Sequence, residues 1–386
     1  MKILLVASDN CNTSGAFLCM VQLAKHLKYD LNNDLRIVVP FEGSGSKLLK
    51  EIGIDFDVVY SPDWVSPSLI KHPLRALKSY YNFFKASKYE SNILRYLNEY
   101  RPDIVHINTS WCFLFGKVAM KNNFPVVWQV QEFLYEDQGM HFINKNFSLK
   151  TFHNANVVAT ISNAINEKYL GYGLNNTKIV LDGLDVSKYY NESHLIFNNH
   201  KIVFLFVGGV GKKKGQFELL EWIGKYNNQN NIGDFEFRIV GGCTPKYKAM
   251  LEKISGKYNI NNKVIIVGAK SNVMEEYLNS DIQFVNSKKE AFGRVTVEGI
   301  LSGCCVLASN SGGSKEIIQN GINGYLYNQG DFISFSNTLS YVLENKKKVQ
   351  KNIHNGQVIT KNKFDSLRNA EDFFHIYKNI KEGNND

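Results

Sequence analysis

The strongest constraint on the fold is a repeated alternation of short apolar runs with helical stretches. In the first half the apolar runs are KILLVAS, DLRIVVP, FDVVY, DIVHIN, PVVWQVQ and NVVATIS, with helices predicted to begin near Ser14, Ser46, Ser68 and Cys112. In the second half the runs are KIVFLFVGG, FEFRIVGG, KVIIVGA, DIQFVNS and CVLASN, with helices predicted at 214–227, 245–258, 272–279 and 294–302. Buried strands that alternate with helices form parallel sheets covered on both faces. Two such series predict two doubly wound, Rossmann-like α/β domains.

The length of the chain agrees with two domains, because 386 residues exceed one ordinary core of roughly 100 to 200 residues. The polar, Asn-rich segment 181–201 is typical of a linker. We therefore expect an N-terminal domain over residues 1–185 and a C-terminal domain over 200–364. After Phe332 the pattern is helical, and the segment 365–386 is predicted to pack back on the first domain.

The composition excludes several classes of protein. With 44% hydrophobic and 21% charged residues, the chain is typical of a soluble globular protein. No apolar stretch reaches the ~18 residues of a membrane-spanning helix, and the start MKILLVASDN lacks the pattern of a signal peptide, so a cytoplasmic location is expected. The six cysteines show no CxxC motif and the nine histidines no metal-ligand spacing. We expect reduced thiols, no metal site and no other cofactor.

The formal net charge is +9, but the lysines are dispersed and no recognition motif for nucleic acid accompanies them. One basic region stands apart, residues 68–100, where aromatic residues are interleaved with Lys71, Arg75, Lys78, Lys85, Lys88 and Arg95. A basic, aromatic-rich helical segment is typical of a protein that rests on an anionic membrane surface. A solvated helix face with a buried aromatic stripe fits the same residues, and the sequence leaves both interpretations open.

Ligands of open parallel sheets bind beyond the carboxyl ends of the strands, so the loops after the strands are candidate sites. After the first strand, Gly15 lies at a predicted helix start whose backbone N–H groups can hold an anion. After the first strand of the second domain, the segment GGVGKKKG places Gly209 and three consecutive lysines, ending at Lys214, before another helix. Cations at a helix N-terminus oppose the helix dipole, so a bound polyanion such as a diphosphate explains them better than a solvated cluster.

Two glutamates, Glu290 and Glu298, lie eight positions apart in the segment EAFGRVTVE. Glu290 follows a predicted strand, and Glu298 lies about a turn inside a helix that is predicted to start near Phe292 or Gly293. A glutamate at such a place can accept hydrogen bonds from both hydroxyls of a ribose. The backbone of Gly293, Arg294 and Val295 at the helix start can hold a phosphate.

At these residues the chain resembles the retaining glycosyltransferases of family 4 (glycosyl transferases group 1), which have the GT-B fold of two Rossmann-like domains facing across a cleft. The resemblance rests on the E-x7-E signature of Glu290 and Glu298, on the Lys214-Gly215 pair, and on the segment GCCVLASNSGGSKEIIQNGINGYLY. It spans almost the whole chain and is stronger in the second half. It implies metal-independent transfer of a sugar from a nucleotide diphosphate donor to an acceptor hydroxyl with retained anomeric configuration.

The resemblance also implies roles for particular residues. Glu290 would bind the donor sugar, Lys214 the diphosphate, Glu298 the ribose, and the backbone near Ala269 the base. The first domain would bind the acceptor and the second the donor.

The chain departs from the family pattern at several positions. Gly209 stands where the family commonly has an arginine, and Gln131-Glu132 stand where many members have a histidine that contacts the donor sugar. Glu132 is then a candidate for the acceptor. His106 either reaches the site or is a hydrogen-bonded structural histidine. The linker position that is often Asn is Asp182.

The pair Asp55 and Asp57 matches the DxD motif with which another class of glycosyltransferase holds a metal ion. Here it lies at the start of a strand, where alternating side chains explain it. We therefore interpret it as structural.

The expected function is transfer from a UDP-sugar to a glycan, lipid-linked or protein-linked acceptor, in bacterial surface polysaccharide or glycoconjugate synthesis. Front-face attack is favoured, with Glu290 as electrostatic support, since no residue can be assigned as a nucleophile. Two other interpretations stay open: a non-catalytic partner that kept the fold, and a nucleotide-sugar epimerase. The oligomeric state is not predicted.

Overall fold

The computed structural model describes residues 1–383, which form two compact units. The first unit comprises Met1–Leu184 and the segment that begins at Asp365, and the second comprises Asp185–Phe364. The last three residues of the predicted C-terminal segment, 384–386, lie outside the described residues. The boundary falls within the polar segment interpreted as a linker. Residues 186–199 belong to the second unit, where Tyr189 and Ile196 are buried.

The first unit is built on a parallel sheet of seven strands in the order β3-β2-β1-β5-β6-β8-β9, and β4 and β7 form a separate antiparallel pair. Its strands are β1 (Lys2–Val6), β2 (Asp34–Val39), β3 (Phe56–Val58), β4 (Val65–Pro67), β5 (Ile104–Asn108), β6 (Val126–Val130), β7 (Met140–Phe142), β8 (Val157–Thr160) and β9 (Thr177–Ile179). Its helices before the boundary are α1 (Gly15–Lys25), α2 (Ser44–Glu51), α3 (Pro73–Phe84), α4 (Glu90–Tyr100), α5 (Leu114–Lys121), α6 (Tyr135–Gln138), α7 (Lys145–His153) and α8 (Asn163–Leu170).

The second unit is built on a parallel sheet of six strands in the order β12-β11-β10-β13-β14-β15. Its strands are β10 (Ile202–Val207), β11 (Phe235–Val240), β12 (Val264–Gly268), β13 (Ile282–Val285), β14 (Cys305–Ser309) and β15 (Tyr325–Tyr327). Its helices are α9 (Val186–Tyr189), α10 (Gln216–Asn230), α11 (Pro245–Lys257), α12 (Met274–Leu278), α13 (Arg294–Leu301), α14 (Gly312–Ile317), α15 (Phe332–Glu344) and α16 (Lys346–Phe364).

The predicted class, two doubly wound Rossmann-like domains, is confirmed. The central strands are buried on both faces of their sheets, as the burial of every residue of β5, β6, β13 and β14 shows. A strand covered on both faces has no polar face, which is why these segments read as nearly continuous apolar runs.

The last helix, α17 (Ser366–Glu382), belongs to the first unit. Asp365 caps it by accepting a hydrogen bond from the Leu367 amide at 2.9 Å, while Phe373 and Tyr377 are fully buried in the core of that unit. At its start the chain runs beside the segment that leaves the first unit, and the Ser366 amide donates to the Leu184 carbonyl at 2.9 Å. A Cβ at Gly183 would lie 2.5 Å from the Ser366 Cα, so only glycine allows the two segments to approach this closely.

The segment 68–100 differs from its prediction. The helix expected to begin near Ser68 begins at Pro73, because the residue before a proline is disfavoured in helical conformation and proline suits the first helical position. A short 3₁₀ turn, Ala86–Tyr89, then separates α3 from α4. The basic residues therefore do not share one helix: α3 carries two of them and α4 one, and the others lie before α3 or at the 3₁₀ turn.

Candidate active site

The second unit places two ligand-binding loops side by side. Strand β10 pairs with β11 on one side and β13 on the other, so the chain order reverses at β10. Helices that follow the strands on either side of such a reversal diverge and leave a crevice at the carboxyl ends of the strands. The loops that follow β10 and β13, residues 208–215 and 286–293, contain both predicted catalytic residues, Lys214 and Glu290. We call them the lysine loop and the glutamate loop.

Glycine at position 215 lets the two loops touch. Gly215 precedes α10 with a φ of 80°, and a Cβ there would lie 2.1 Å from the Asn286 carbonyl oxygen. The Asn286 side-chain amide in turn donates to the Gly215 carbonyl at 3.0 Å. The Gly209 carbonyl accepts a hydrogen bond of 2.9 Å from the buried Gln216 side chain. Hydrogen bonds thus fix the lysine loop at both ends, and the bond from Asn286 links it to the glutamate loop.

Lys214 and Glu290, the two predicted catalytic residues, are in contact. The Lys214 ammonium lies 2.9 Å and 3.3 Å from the two Glu290 carboxylate oxygens, although the residues are separated by 76 positions. The Glu290 side chain is 16% exposed and that of Lys214 44%. A cation at this place, already desolvated on one side by a carboxylate, can also approach an anionic ligand.

Two consecutive glycines, Gly312 and Gly313, pack closely against the backbone of the glutamate loop. The Gly313 amide donates to the Glu290 carbonyl at 2.8 Å. A Cβ at Gly312 would lie 2.2 Å from the same carbonyl oxygen, and one at Gly313 would lie 1.8 Å from that of Phe292. These contacts give a physical reason for the two glycines that the sequence places after the strand CVLASN.

Gly293 turns the chain into α13. Its φ of 100° is favourable only for glycine, and the Thr296 amide donates to its carbonyl at 2.8 Å. Arg294 and Val295 form the first turn of the helix, with both side chains partly exposed, and Phe292 is buried beneath. The N–H groups of the first turn of a helix point along the helix axis and favour an anion.

Glu298 is buried and held by polar neighbours. One carboxylate oxygen accepts from the Arg294 guanidinium at 2.9 Å and the other from the Tyr277 hydroxyl at 3.0 Å. Burial, reinforced by the nearby carboxylate, raises the pKa of Tyr277 well above its usual value and that of Tyr189 to about 12. Both tyrosines therefore remain protonated donors at neutral pH.

Sequence reasoning missed Tyr277, Tyr189 and Asn286. Tyr277 lies on α12 and Tyr189 in the segment predicted as a linker, so neither is near Glu298 in the chain. Asn286 is the second-last residue of the run DIQFVNS and follows β13 directly. Its place directly after a buried strand was the one signal that pointed to it.

Ala269, predicted to lie near the base, is exposed and directly follows β12 at the same edge of the sheet. Gly268 before it has a φ of 88° and its carbonyl accepts from the Gly241 amide at 2.8 Å. The donor-binding role of Ala269 stays a prediction.

The first unit has its own reversal of chain order, at β1, where Gly15 opens α1. Ser14 caps this helix and its hydroxyl donates to Asp9 at 2.9 Å. A Cβ at Gly15 would meet no atom within 4 Å, so the position opens onto free space rather than onto a tight turn.

Glu132 is nearly fully buried at the end of β6. One of its oxygens accepts hydrogen bonds from the Ser110 amide, at 2.8 Å, and from the Ser110 hydroxyl. The other accepts from the Gln131 amide at 3.1 Å. Burial raises the pKa of Glu132 to about 7 despite these bonds. The side chain thus joins the loop after β5 to the loop after β6.

Gln131 and His106 are also engaged within the first unit. The Gln131 side-chain amide donates to Asn108 at 2.7 Å. His106 is fully buried, with Nδ1 2.5 Å from the Tyr377 hydroxyl and Nε2 3.2 Å from Gln129 Oε1. Burial lowers the pKa of His106 to about 4, so its ring is neutral. Of the two interpretations left open by the sequence, this placement favours a structural histidine.

Among residues 1–383, no group of three or more His, Cys, Asp or Glu side chains is arranged to hold a metal ion. All six cysteines are free thiols. Asp57 accepts from Arg36 at 3.1 Å and from the Tyr96 hydroxyl at 2.7 Å. Metal independence itself stays a prediction.

Family models match both halves of the chain. The model described as "Glycosyltransferase Family 4" matches residues 14–187, and the model described as "Glycosyl transferases group 1" matches residues 190–358. The second match contains both loops and Glu298.

Two curated relatives and one solved structure illustrate the similarity. The N-acetyl-alpha-D-glucosaminyl L-malate synthase of Bacillus anthracis is 33% identical over 90 residues, 23% of each chain. The UDP-Gal:alpha-D-GlcNAc-diphosphoundecaprenol alpha-1,3-galactosyltransferase of Escherichia coli is 24% identical over 300 residues, 72% of each chain. HepE of Anabaena, solved in complex with UDP, has a TM-score of 0.77 and 20% identity over 98% of this chain and 100% of that one.

These similarities differ in what they establish. The chain covers 23%, 56% and 54% of the length of the first three curated relatives that it matches. The likeness to HepE, at 20% identity, extends over nearly the whole chain and confirms the GT-B fold.

Proposed function

Because this chain belongs to the group 1 glycosyltransferases of GT-B fold, we propose that it transfers a sugar from a nucleotide diphosphate donor to a hydroxyl acceptor. The proposed donor is a UDP-sugar and the configuration at the anomeric carbon is retained. The acceptor is a glycan, lipid-linked or protein-linked, in bacterial surface polysaccharide or glycoconjugate synthesis. The proposal places the protein in the cytoplasm, at the inner face of the cell membrane.

One observation carries this proposal: the contact between Lys214 and Glu290, which joins the lysine loop to the glutamate loop at the carboxyl ends of β10 and β13. A nucleotide diphosphate sugar needs a cation for its diphosphate next to an acceptor for its sugar hydroxyls, and this pair supplies both. The UDP complex of HepE and the UDP-Gal donor in the name of the Escherichia coli relative support the choice of nucleotide.

The proposed chemistry follows from these charges. As the bond to the sugar breaks, negative charge grows on the diphosphate, and Lys214 together with the first-turn amides of α13 stabilises it. Lys214 then shares its charge with the diphosphate, which leaves Glu290 to accept hydrogen bonds from the donor sugar. Glu298, held by Tyr277 and Arg294, accepts hydrogen bonds from the ribose. In front-face attack the leaving phosphate takes the acceptor's proton, so no protein nucleophile is needed.

The test is release of UDP from a panel of UDP-sugars by the purified chain, with and without glycan acceptors. Glu290→Gln is expected to lower the release rate by about 100-fold, because it weakens a contact to the reacting sugar and leaves Lys214 without its carboxylate. Glu275→Gln is the matched control. Its carboxylate is 77% exposed, lies 3.7 Å from Lys270, and is not part of either loop.

Three results would contradict the proposal. An unchanged rate of UDP release in Glu290→Gln would show that the assigned site is not the active site. Binding of UDP without any turnover would favour a non-catalytic partner, and conversion of the sugar without free UDP would favour an epimerase. Proton NMR of the anomeric centre of the product tests retention separately.

A further inference from the structure

Helix α3 of the first unit turns an apolar face to the solvent. Leu74, Leu77, Tyr81 and Phe84 fall within about 80° of one another around the helix, since successive residues are about 100° apart. Their exposed fractions are 83%, 59%, 58% and 73%, and Ile70 in the turn before the helix is 95% exposed. Single exposed apolar residues are common on protein surfaces, but an aligned row of this kind is not.

The opposite face of α3 holds the helix against the protein. Ala76 is fully buried, and the ring of Phe83 lies 5.4 Å from that of Phe113 and 6.1 Å from that of Phe147. The position of α3 is therefore fixed by its inner face. Its outer apolar row is not needed for this packing.

The surroundings of the apolar row are basic. From Ser68 to Tyr89 the chain contains no aspartate or glutamate. Within this stretch the exposed basic side chains are Lys71, Arg75, Lys78, Lys85 and Lys88. Arg75 and Lys78 flank one side of the row, and the Lys85 ammonium lies 4.3 Å from the centre of the Tyr81 ring. A buried aromatic stripe with a solvated basic face, the other interpretation of this segment, does not describe this arrangement.

We propose that α3 and the turn before it dock on an anionic lipid bilayer, with the helix in the plane of the membrane. The apolar row enters the boundary between headgroups and acyl chains, and the basic side chains contact anionic headgroups. A bilayer fits better than a protein partner, because a row of apolar side chains edged by lysine and arginine matches both layers of a lipid surface. None of the helices described in residues 1–383 has the length and apolar character to cross a bilayer, so the attachment we propose is peripheral.

Docking would also place a cavity of mixed polar and apolar lining near the membrane, and its role as described next rests on the proposed function. Ser79 and Asn82, on a flank of α3, line a cavity of about 120 Å³ together with Ser8 and Asp63 at the carboxyl ends of the first sheet. Hydroxyl, amide and carboxyl groups of this kind suit a sugar. A lipid-linked acceptor would then reach the first unit from the bilayer, which favours that acceptor class over the glycan and protein-linked ones.

The experiment measures co-sedimentation of the purified full chain with vesicles of phosphatidylcholine alone and of phosphatidylcholine mixed with phosphatidylglycerol. Binding is expected only to the anionic vesicles and is expected to weaken as salt is raised. The double variant Leu74→Ser and Phe84→Ser should weaken binding at least about tenfold, because each apolar side chain loses its transfer energy. Leu195→Ser with Ile333→Ser, apolar positions of the second unit that are 59% and 70% exposed, is the matched control and should leave binding unchanged.

A second pair of variants isolates the charge. Arg75→Gln with Lys78→Gln should weaken binding to anionic vesicles and reduce its dependence on salt, whereas Lys347→Gln with Lys348→Gln, exposed lysines of α16, should not. All of these positions are exposed, so circular dichroism should show folded protein in every case.

Several outcomes would overturn the inference. These are failure to sediment with anionic vesicles, binding that is unchanged in the Leu74→Ser and Phe84→Ser variant, or a dimer in solution that this variant dissociates. UDP release in lipid-free buffer is measured in parallel. Turnover without vesicle binding would reject membrane docking and leave the proposed function intact, whereas vesicle binding without turnover would do the reverse.

Discussion

The two units share one fold but use the carboxyl edges of their sheets differently. In the second unit Lys214 and Glu290 lie on loops and form an ion pair with each other, and both side chains keep some exposure. In the first unit His106 and Glu132 are nearly or fully buried and bonded to neighbours in their own core. Polar residues near the carboxyl ends of the strands are therefore candidates for ligand binding in the second unit, and they brace the core in the first.

Exposure and the origin of the hydrogen-bond partners distinguish a ligand-binding residue from a structural one. A polar residue at a strand end is a candidate for ligand binding when its partners come from another loop and leave it partly exposed. It is structural when several neighbours in the core satisfy its hydrogen bonds. Replacing such a residue leaves buried polar groups without partners and lowers the free energy of unfolding. Substitutions at the candidate site of the second unit should therefore change binding and turnover, and those at the buried polar residues of the first unit should change stability.

The largest effect is expected from Gly215→Ala. The new Cβ would lie 2.1 Å from the Asn286 carbonyl, at a φ of 80° that alanine rarely adopts, so the two loops must separate. We expect UDP release from a UDP-sugar to fall by about 100-fold and the melting temperature to drop. Gly211→Ala in the same loop is the control, since a Cβ there meets no atom within 4 Å. Equal losses in both variants would show that the contact between the loops is unimportant.

The next largest effect is expected from Glu132→Gln in the first unit, and it concerns stability. Because the pKa of Glu132 in the folded protein, about 7, is higher than its ordinary value of 4.5, the folded state holds this proton more tightly. The group therefore stabilises the fold below about pH 4.5, and that stability is lost as the pH rises toward 7. Glutamine does not titrate, so the Glu132→Gln variant does not lose this stability. The melting temperature of the variant minus that of the natural protein should therefore increase between pH 5 and pH 8.

Through this one group the free energy of unfolding changes by at most about 1.4 kcal/mol per pH unit. Asp63, whose pKa is also raised to about 7 by burial, is present in both proteins, so its contribution cancels in the comparison. A melting temperature difference that stays constant over this range would mean that Glu132 is charged at neutral pH. The raised pKa of Glu132 would then be wrong.

The sequence predicts much of this architecture for physical reasons. Strands buried on both faces are mostly apolar, so β1, β6, β10 and β14 are visible as runs with few polar residues. The candidate donor site is also visible, because E-x7-E joins a loop to the helix that follows it and both glutamates lie in one short segment.

Other parts depend on contacts between distant residues and are not visible in this way. Tyr277 bonds to Glu298 from another helix, and β4 and β7 are three residues long and pair across 72 intervening positions. Periodicity shows that α3 has an apolar row, but not that the row faces solvent, because a helix places its most apolar side inward by default. Only the packing of Phe83 and Ala76 settles that point.

A smaller effect on binding is expected from Tyr277→Phe. The hydroxyl donates to Glu298 at 3.0 Å, so its loss should leave one carboxylate oxygen poorly oriented and raise the dissociation constant for UDP about tenfold. Tyr226→Phe is the matched control, as Tyr226 is also buried in the second unit and bonds to the Ser340 hydroxyl at 2.8 Å. Both variants should lose stability, but only the first should lose affinity. An equal loss of UDP affinity in both, by isothermal titration calorimetry, would make Tyr277 merely structural.

The smallest effect is expected from Tyr377→Phe in the first unit. Tyr377 on α17 lies 2.5 Å from Nδ1 of His106, whose other nitrogen is paired with Gln129 Oε1, and removing the hydroxyl leaves a buried ring nitrogen without its donor. The free energy of unfolding should fall by about 1 kcal/mol, while UDP release at low temperature should be unchanged. Tyr29→Phe, which removes an exposed hydroxyl bonded to the Ile52 carbonyl, should change neither quantity measurably. If Tyr377→Phe instead slowed UDP release without lowering stability, His106 would belong with the ligand-binding residues, and the contrast between the two units would fail at that position.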